Sequence, residues 1–182
     1  LHRLSPGAAA AGAANTVVLK DGERWGHNTD GEGTLRALSA PLQGKTLLVL
    51  AAGGLARAVV SAALMKNLSV AVSARRPEAL ENEPFCQAAA VPWKERAHAR
   101  FDVLINTTPL GSEGQGHPIP GVPSWRDRVV LDAILHPLKT PLLAEAARGG
   151  ARVLNGRDMW IHQGALQMSL FTGETIAPQD LL

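Results

Sequence analysis

Residues 46–57 read TLLVLAAGGLAR. From Thr46 to Ala51 the side chains are apolar or β-branched and none is charged, the pattern of a parallel strand covered on both faces. Ala52-Gly53-Gly54 breaks the run, and Leu55 to Lys66 continues as a helix with few polar positions. A strand, a glycine turn and a helix in that order open a dinucleotide-binding βαβ unit. Small residues are needed at such a turn because a pyrophosphate must approach backbone N–H groups at the positive end of the helix. The fingerprint is imperfect. Read as G-x-G-x-x-G/A it runs Ala51, Gly53, Ala56, with a methyl where the chain turns tightest. A plain strand-to-helix turn fits the same residues, so the loop alone does not fix a ligand.

The next strand, SVAVS at 69–73, addresses the cofactor. An NAD site places Asp or Glu about twenty residues beyond the glycine turn, on the ribose 2′-hydroxyl. Here that position falls on Ser73, followed by Ala74-Arg75-Arg76. There is no acid, and two guanidiniums stand where a 2′-phosphate would sit. The residues favour NADP, with a solvated basic loop as the bland reading.

Further strands are expected at 88–91, 101–105 (FDVLI), 129–135 (VVLDAIL) and 152–154, with helices after Thr140-Pro141 and over 158–172. The 101–105 strand runs into Asn106-Thr107-Thr108-Pro109, a polar turn at the strand end where open parallel sheets hold ligands. Residues 113–123 form a Gly/Pro-rich surface loop. Met159, His162, Leu166 and Leu170 recur at helical spacing. Strand and helix alternate from 46 to 172, which gives an α/β fold, a doubly wound parallel sheet of Rossmann-like order 3-2-1-4-5-6.

Ahead of that unit, Lys20-Asp21-Gly22-Glu23 is a hairpin signal, since Asp-Gly supplies the left-handed residues such turns need. Asn28 or Thr29 then caps a helix over 30–39, with Asp30 as an acid in its first turn. The segment has no obvious core of its own.

Composition bounds the function classes. With 182 residues, 46% hydrophobic and 19% charged, the chain is an ordinary globular one. A net charge of +2 does not imply nucleic acid. A single cysteine, Cys86, rules out an internal disulfide and fits a reducing, cytoplasmic setting as an inert thiol. Residues 46–65 carry one charge, Arg57, but the Gly53-Gly54 pair makes a packed strand and helix the better reading than a membrane span. The alanines at 8–14 follow no leucine-rich core, so a signal peptide is not expected.

Taken together, NTV at 15–17, GHNTDGEG at 26–33, NTTPLG at 106–111 and M-x-x-x-Q-G at 159–164 resemble shikimate dehydrogenase, in order and spacing, over nearly the whole chain. The resemblance implies an NADP-dependent oxidoreductase interconverting 3-dehydroshikimate and shikimate, a small-molecule substrate, in aromatic amino-acid biosynthesis. It implies a catalytic role for Asp30, paired with a lysine that manages the proton. It implies substrate contacts from Asn15, Asp30 and Gln163. For the cofactor it implies Ala51, Ala52, Gly53, Gly54 and Leu55 at the glycine-rich turn, and Ala74, Arg75 and Arg76 at the 2′-phosphate. Thr107, Thr108 and Pro109 fall beside the cofactor, and Ala133 and Gly156 complete its set. Residues 1–42 become a remnant of a second, substrate-binding α/β domain, 43–157 the NADP-binding domain, and 158–182 a C-terminal helix returning toward the substrate domain.

The chain also departs from the family. The catalytic lysine lies upstream of Leu1, and none of Lys20, Lys45, Lys66, Lys94 or Lys139 stands in its motif. Leu135 replaces a tyrosine near the substrate, and Ala51 and Ala74 replace a glycine and an asparagine. Beginning on Leu and ending soon after Gly173, the chain is expected to be a piece of a longer protein or of a disrupted gene, inactive alone. Its partner would then be the N-terminal portion or a second subunit. Two other readings stay open: a non-catalytic nucleotide-binding module of the same descent, and a quinate/shikimate enzyme.

Overall fold

The computed structural model describes residues 1–113 and 115–182, so residue 114 of the 113–123 loop lies outside the described residues. The chain opens with strand β1 (Arg3–Leu4), helix α1 (Pro6–Ala11), strands β2 (Thr16–Lys20) and β3 (Glu23–His27), and helix α2 (Asp30–Ala37). Lys20 pairs with Glu23 across a two-residue turn in which Asp21 and Gly22 have φ of 52° and 76°. Both central residues are left-handed, as a turn matching the strand twist requires. β3 takes β1 in parallel on its other edge, closing a three-stranded sheet β1-β3-β2.

Thr29 holds the N-cap position of α2 without a side-chain cap of its own, and Asn28 supplies the hydrogen bonds: its Oδ1 accepts from the Asp30 N–H at 3.1 Å and the Gly31 N–H at 3.5 Å. The helix stops at Ala37, short of the expected 39, because Ser39 is already left-handed at φ 45°.

The rest is the expected α/β unit: β4 (Thr46–Leu50), α3 (Gly54–Met65), β5 (Ser69–Ser73), β6 (Ala89–Ala90), β7 (Val103–Asn106), β8 (Val129–Asp132), α4 (Pro141–Arg148), β9 (Arg152–Leu154) and α5 (Gly156–Thr172). The sheet is parallel throughout, in the order β6-β5-β4-β7-β8-β9, which is 3-2-1-4-5-6. β4 lies at its centre. Leu47 and Val49 enter the core on one face, Leu48 and Leu50 the core on the other, which is why the run carries no alternation. Two 3-10 turns, Pro77–Leu80 and Phe85–Gln87, lie between β5 and β6.

α4 starts as read, with the Thr140 hydroxyl accepting from the Leu143 N–H at 3.3 Å and Pro141 in the first turn. α5 starts two residues earlier than expected. Asn155 and Asp158 form a capping box, so Asp158 is the third helical residue rather than the first. Its buried side chains are Ile161, Gln163 and Ala165, while Met159, His162, Leu166 and Leu170 are only half-covered. Ile161 and Ala165 share a side and Gln163 faces away from them, so α5 is held from two directions and no single stripe describes it. Among the described residues no helix is long and apolar enough to cross a membrane. Cys86 is exposed, and the adjacent Glu83 carboxylate holds its thiol above the ordinary value, as suits an unreactive one.

Candidate functional site

A cleft of about 470 Å³ opens beyond the carboxyl ends of β4, β5 and β7, where the sheet order reverses. The run after β4 contributes Ala51, Ala52 and Gly53, the run after β5 contributes Ala74, Arg75 and Arg76, and the run after β7 contributes Thr108 and Pro109. Gly53 is the N-cap of α3 and offers no side-chain cap. A Cβ built on Gly53 or Gly54 would meet nothing within 4 Å. The floor is thus a bare helix N-terminus facing open space, an arrangement that suits an anion.

Ala51 takes φ 105°. This is the first position of the fingerprint, and the value shows why glycine stands there: an L side chain at such an angle costs on the order of 1–3 kcal/mol. Ala51→Gly is expected to raise unfolding stability by about 1 kcal/mol, since the strain relieved exceeds the extra chain entropy of glycine. A urea midpoint shifted upward at unchanged slope would show it; an unchanged or lower midpoint would mean that the turn holds Ala51 without strain.

The opposite wall is fixed by a buried polar network. Asn106 Nδ2 donates to Leu110 O at 3.0 Å and to Asp132 Oδ1 at 2.9 Å, while Asn106 Oδ1 accepts from the Thr108 N–H at 3.0 Å and its hydroxyl at 2.7 Å. The Thr140 hydroxyl donates to Asp132 Oδ2 at 2.7 Å. Asn106, Asp132 and Thr140 are fully buried. Burial pushes the Asp132 carboxyl up, against the pull of these hydrogen bonds. Asp132 was not singled out from sequence, although an acid closing the apolar run VVLD was the available signal.

The remaining predicted cofactor residues lie outside the cleft's lining. Gly54 opens α3, Leu55 packs on the core, and the Thr107 hydroxyl is spent on Leu50 O at 2.7 Å. Ala133 and Gly156 meet each other instead: the Gly156 N–H donates to Ile134 O at 3.2 Å, and a Cβ on Gly156 would stand 2.6 Å from Ala133 O.

A second polar cluster joins Asn15, Thr29 and Gln163. Asn15 Nδ2 donates to Thr29 Oγ1 at 3.0 Å, Asn15 Oδ1 accepts from the Thr29 N–H at 3.0 Å, and the Thr29 hydroxyl reaches Gln163 Oε1 at 3.1 Å. Thr29, missed as a site residue, is therefore the hub. Asp30 follows it in the chain, at the start of α2. Two glycines of GHNTDGEG permit this convergence. A Cβ on Gly31 would stand 2.2 Å from Ala58 O of α3, and one on Gly33 would stand 2.6 Å from Gln163 Cβ of α5. They are contact points that let α2 lie between two helices.

Asp30 is half-buried, and burial raises its carboxyl above the ordinary value, with Asn15 opposing. Among the described residues no cation forms a salt bridge with it. A folded-state value above the unfolded one means that stability falls as pH rises through that interval and stays lower above it. Asp30→Asn is accordingly expected to melt above the parent at pH 7, with the gap closing as pH drops below the ordinary carboxylate range. Parallel thermal melts across pH check this, and a gap that does not change with pH overturns it.

No family model matches the chain. A Bacillus cereus shikimate dehydrogenase (NADP(+)) is 36% identical over 190 residues, covering 96% of this chain and 68% of the relative's length. The solved shikimate 5-dehydrogenase of Thermus thermophilus, in complex with NADP(H) and shikimate, superposes with TM-score 0.87 at 35% identity, covering 98% of this chain and 69% of that one. The Listeria monocytogenes enzyme, in complex with shikimate and NAD, superposes with TM-score 0.85 at 29% identity, covering 100% and 70%.

Proposed function

The chain belongs to the shikimate dehydrogenase family, and we propose that it carries the nucleotide site and part of the substrate pocket of an NADP-dependent oxidoreductase interconverting 3-dehydroshikimate and shikimate. The observation that carries this reading is the cleft itself, with a bare helix N-terminus for a floor and two exposed arginines at one end. A pyrophosphate suits the Gly53-Gly54 turn, and a 2′-phosphate suits Arg75 and Arg76. Bound there, NADP would supply a hydride acceptor or donor.

The chain's own residues bind and orient. Asn15 and Gln163, tied together through Thr29, would present amide groups to the hydroxyls of a polyol ring. Asp30 would accept a hydrogen bond from one hydroxyl and hold a lysine ammonium close to it, so that the proton leaves or returns at that oxygen. The Asn106–Asp132–Thr140 network would keep Thr108 and Pro109 against the nucleotide. We assign residues 1–42 to a substrate domain, 43–157 to the nucleotide domain and 158–182 to a helix returning to the substrate. A cytoplasmic setting belongs to the same proposal.

Calorimetric titration with NADPH, NADH and shikimate tests the reading. NADPH is expected to bind more tightly than NADH, and equal or absent binding of the two overturns the cofactor assignment. One observation favours a second reading, binding without turnover: Lys45 pairs with Asp102 and Lys66 with Glu32, and among the described residues no lysine ammonium forms a salt bridge with the Asp30 carboxylate. Shikimate oxidation by these residues alone, at an ordinary dehydrogenase rate, would discard that second reading.

A further inference from the structure

The lining of the cleft includes one aromatic side chain that neither the turn motifs nor the family resemblance assigned. Trp93 follows β6 after Val91 and Pro92, and it lines the cleft beside Ala74, Arg75, Arg76 and Ala79. The same lining thus includes two cations and two of the smallest side chains. The cleft that these residues line holds about 470 Å³ and includes the arginines suited to a phosphate.

The ring is held in place. The Arg96 guanidinium lies over the indole with its Cζ 3.8 Å from the ring centroid. Arg96 is fixed in turn: its Nε donates to Pro118 O at 2.7 Å, and a terminal nitrogen donates to Trp93 O. One face of the indole is thus covered by a cation from the protein, and the ring also packs against the buried cluster under β7 and β8. Little side-chain freedom remains to be lost when a ligand arrives. An indole so clamped offers the cleft a rigid apolar surface, the kind on which nucleobases rest through their π faces.

We propose that Trp93, positioned by Arg96, forms the adenine-contacting wall of the nucleotide cleft. This rests on the reading of that cleft as a dinucleotide site and extends it to the base. It makes Trp93 a binding residue for the half of the cofactor remote from any hydride, and Arg96 a positioning residue that acts through it.

The test uses 2′,5′-ADP, which carries the adenine and the 2′-phosphate but no nicotinamide. Calorimetry with the parent chain, Trp93→Ala, Trp93→Phe and Arg96→Met, each checked by circular dichroism for retained folding, gives the affinities. Trp93→Ala is expected to weaken 2′,5′-ADP by about 10- to 100-fold, the range of base–aromatic contacts. Trp93→Phe should recover most of the loss, and Arg96→Met should fall between. Nicotinamide mononucleotide should bind all four alike. The indole fluorescence that responds to 2′,5′-ADP in the parent should not respond in Trp93→Phe. If the parent binds 2′,5′-ADP and Trp93→Ala binds it equally well, the assignment of Trp93 is overturned while the cleft remains a nucleotide site. If the parent binds neither 2′,5′-ADP nor NADPH, the cleft reading itself fails. Should Trp93→Ala not fold, Trp93→Phe against Trp93→Leu decides: the aromatic variant should bind 2′,5′-ADP more tightly than the aliphatic one, and equal binding overturns the assignment.

Discussion

Gly31→Ala is expected to cost the chain about 3 kcal/mol of unfolding stability, at the upper end of what overpacking does to a packed interior. For a chain of this size that corresponds to a melting temperature lower by roughly 10 °C. The added methyl would stand 2.2 Å from Ala58 O, 2.7 Å from Ala58 C and 2.9 Å from Ala62 Cβ. Two of these atoms are backbone of α3, so no rotamer change can make room, and α2 must move bodily. The gain of about 1 kcal/mol that alanine normally brings to a helix does not offset this. Moving α2 also carries Thr29 and Asp30 away from Asn15 and Gln163, so shikimate affinity should fall with stability. Gly53→Ala makes the contrast. Its Cβ would meet nothing within 4 Å, and Gly53 has an ordinary φ of −85°. Its stability should stay within about 0.5 kcal/mol of the parent, while NADPH binding weakens because the methyl stands in the cleft. Thermal melts and nucleotide titrations on the two variants separate a packing glycine from a ligand-facing one, and a Gly31→Ala chain that melts with the parent would refute the packing argument.

That contrast also marks what could be read from the sequence. The strands at 69–73 and 152–154 and the turn at Asp21-Gly22 were legible because their causes are local: apolar runs bounded by turn residues, and a dipeptide able to take two left-handed conformations. The strand order followed from where the glycine turn sits. The cleft's three arms were legible because each is the residue run after a buried strand, and parallel sheets align those ends. Roles that depend on partners far along the chain were not. Gly31 and Gly33 sit in a motif that invites a ligand reading, yet they meet Ala58 and Gln163. Thr29 looked like a helix cap, but its hydroxyl ties Asn15 to Gln163, 134 residues away from Thr29. Asp132 and Trp93 lie on a strand and a loop with no motif of their own, and only the sheet brings Asp132 to Asn106 and Trp93 into the lining of the cleft. The observed start of α5, two residues ahead of the expected 158, has a smaller cause: Asn155 and Asp158 satisfy one another across the first turn.

Replacing both Arg75 and Arg76 by alanine is expected to lower NADPH affinity by about 10²-fold and to leave NADH nearly unchanged. Hydrogen bonds to a charged group contribute about 1.5–3 kcal/mol each, so two of them could supply about 10²–10⁴ in affinity. Both side chains are exposed, and solvent screening moves the expectation to the lower end. Exposure also makes the substitutions mild for the fold. Among the described residues neither arginine enters a salt bridge, and surface changes of this kind usually shift stability by no more than about 0.5 kcal/mol. A loss of binding therefore reports the site and not unfolding. Salt gives an independent readout. Raising ionic strength should weaken NADPH more than NADH in the parent, and that difference should vanish in the double variant, because the extra charge lies on the 2′-phosphate alone. If the double variant weakens both nucleotides equally, the guanidiniums act on the pyrophosphate or on the general potential of the cleft, and the preference for NADP must come from elsewhere. If it weakens neither, Arg75 and Arg76 are a solvated loop, and the missing acid after β5 loses its meaning as a cofactor signal.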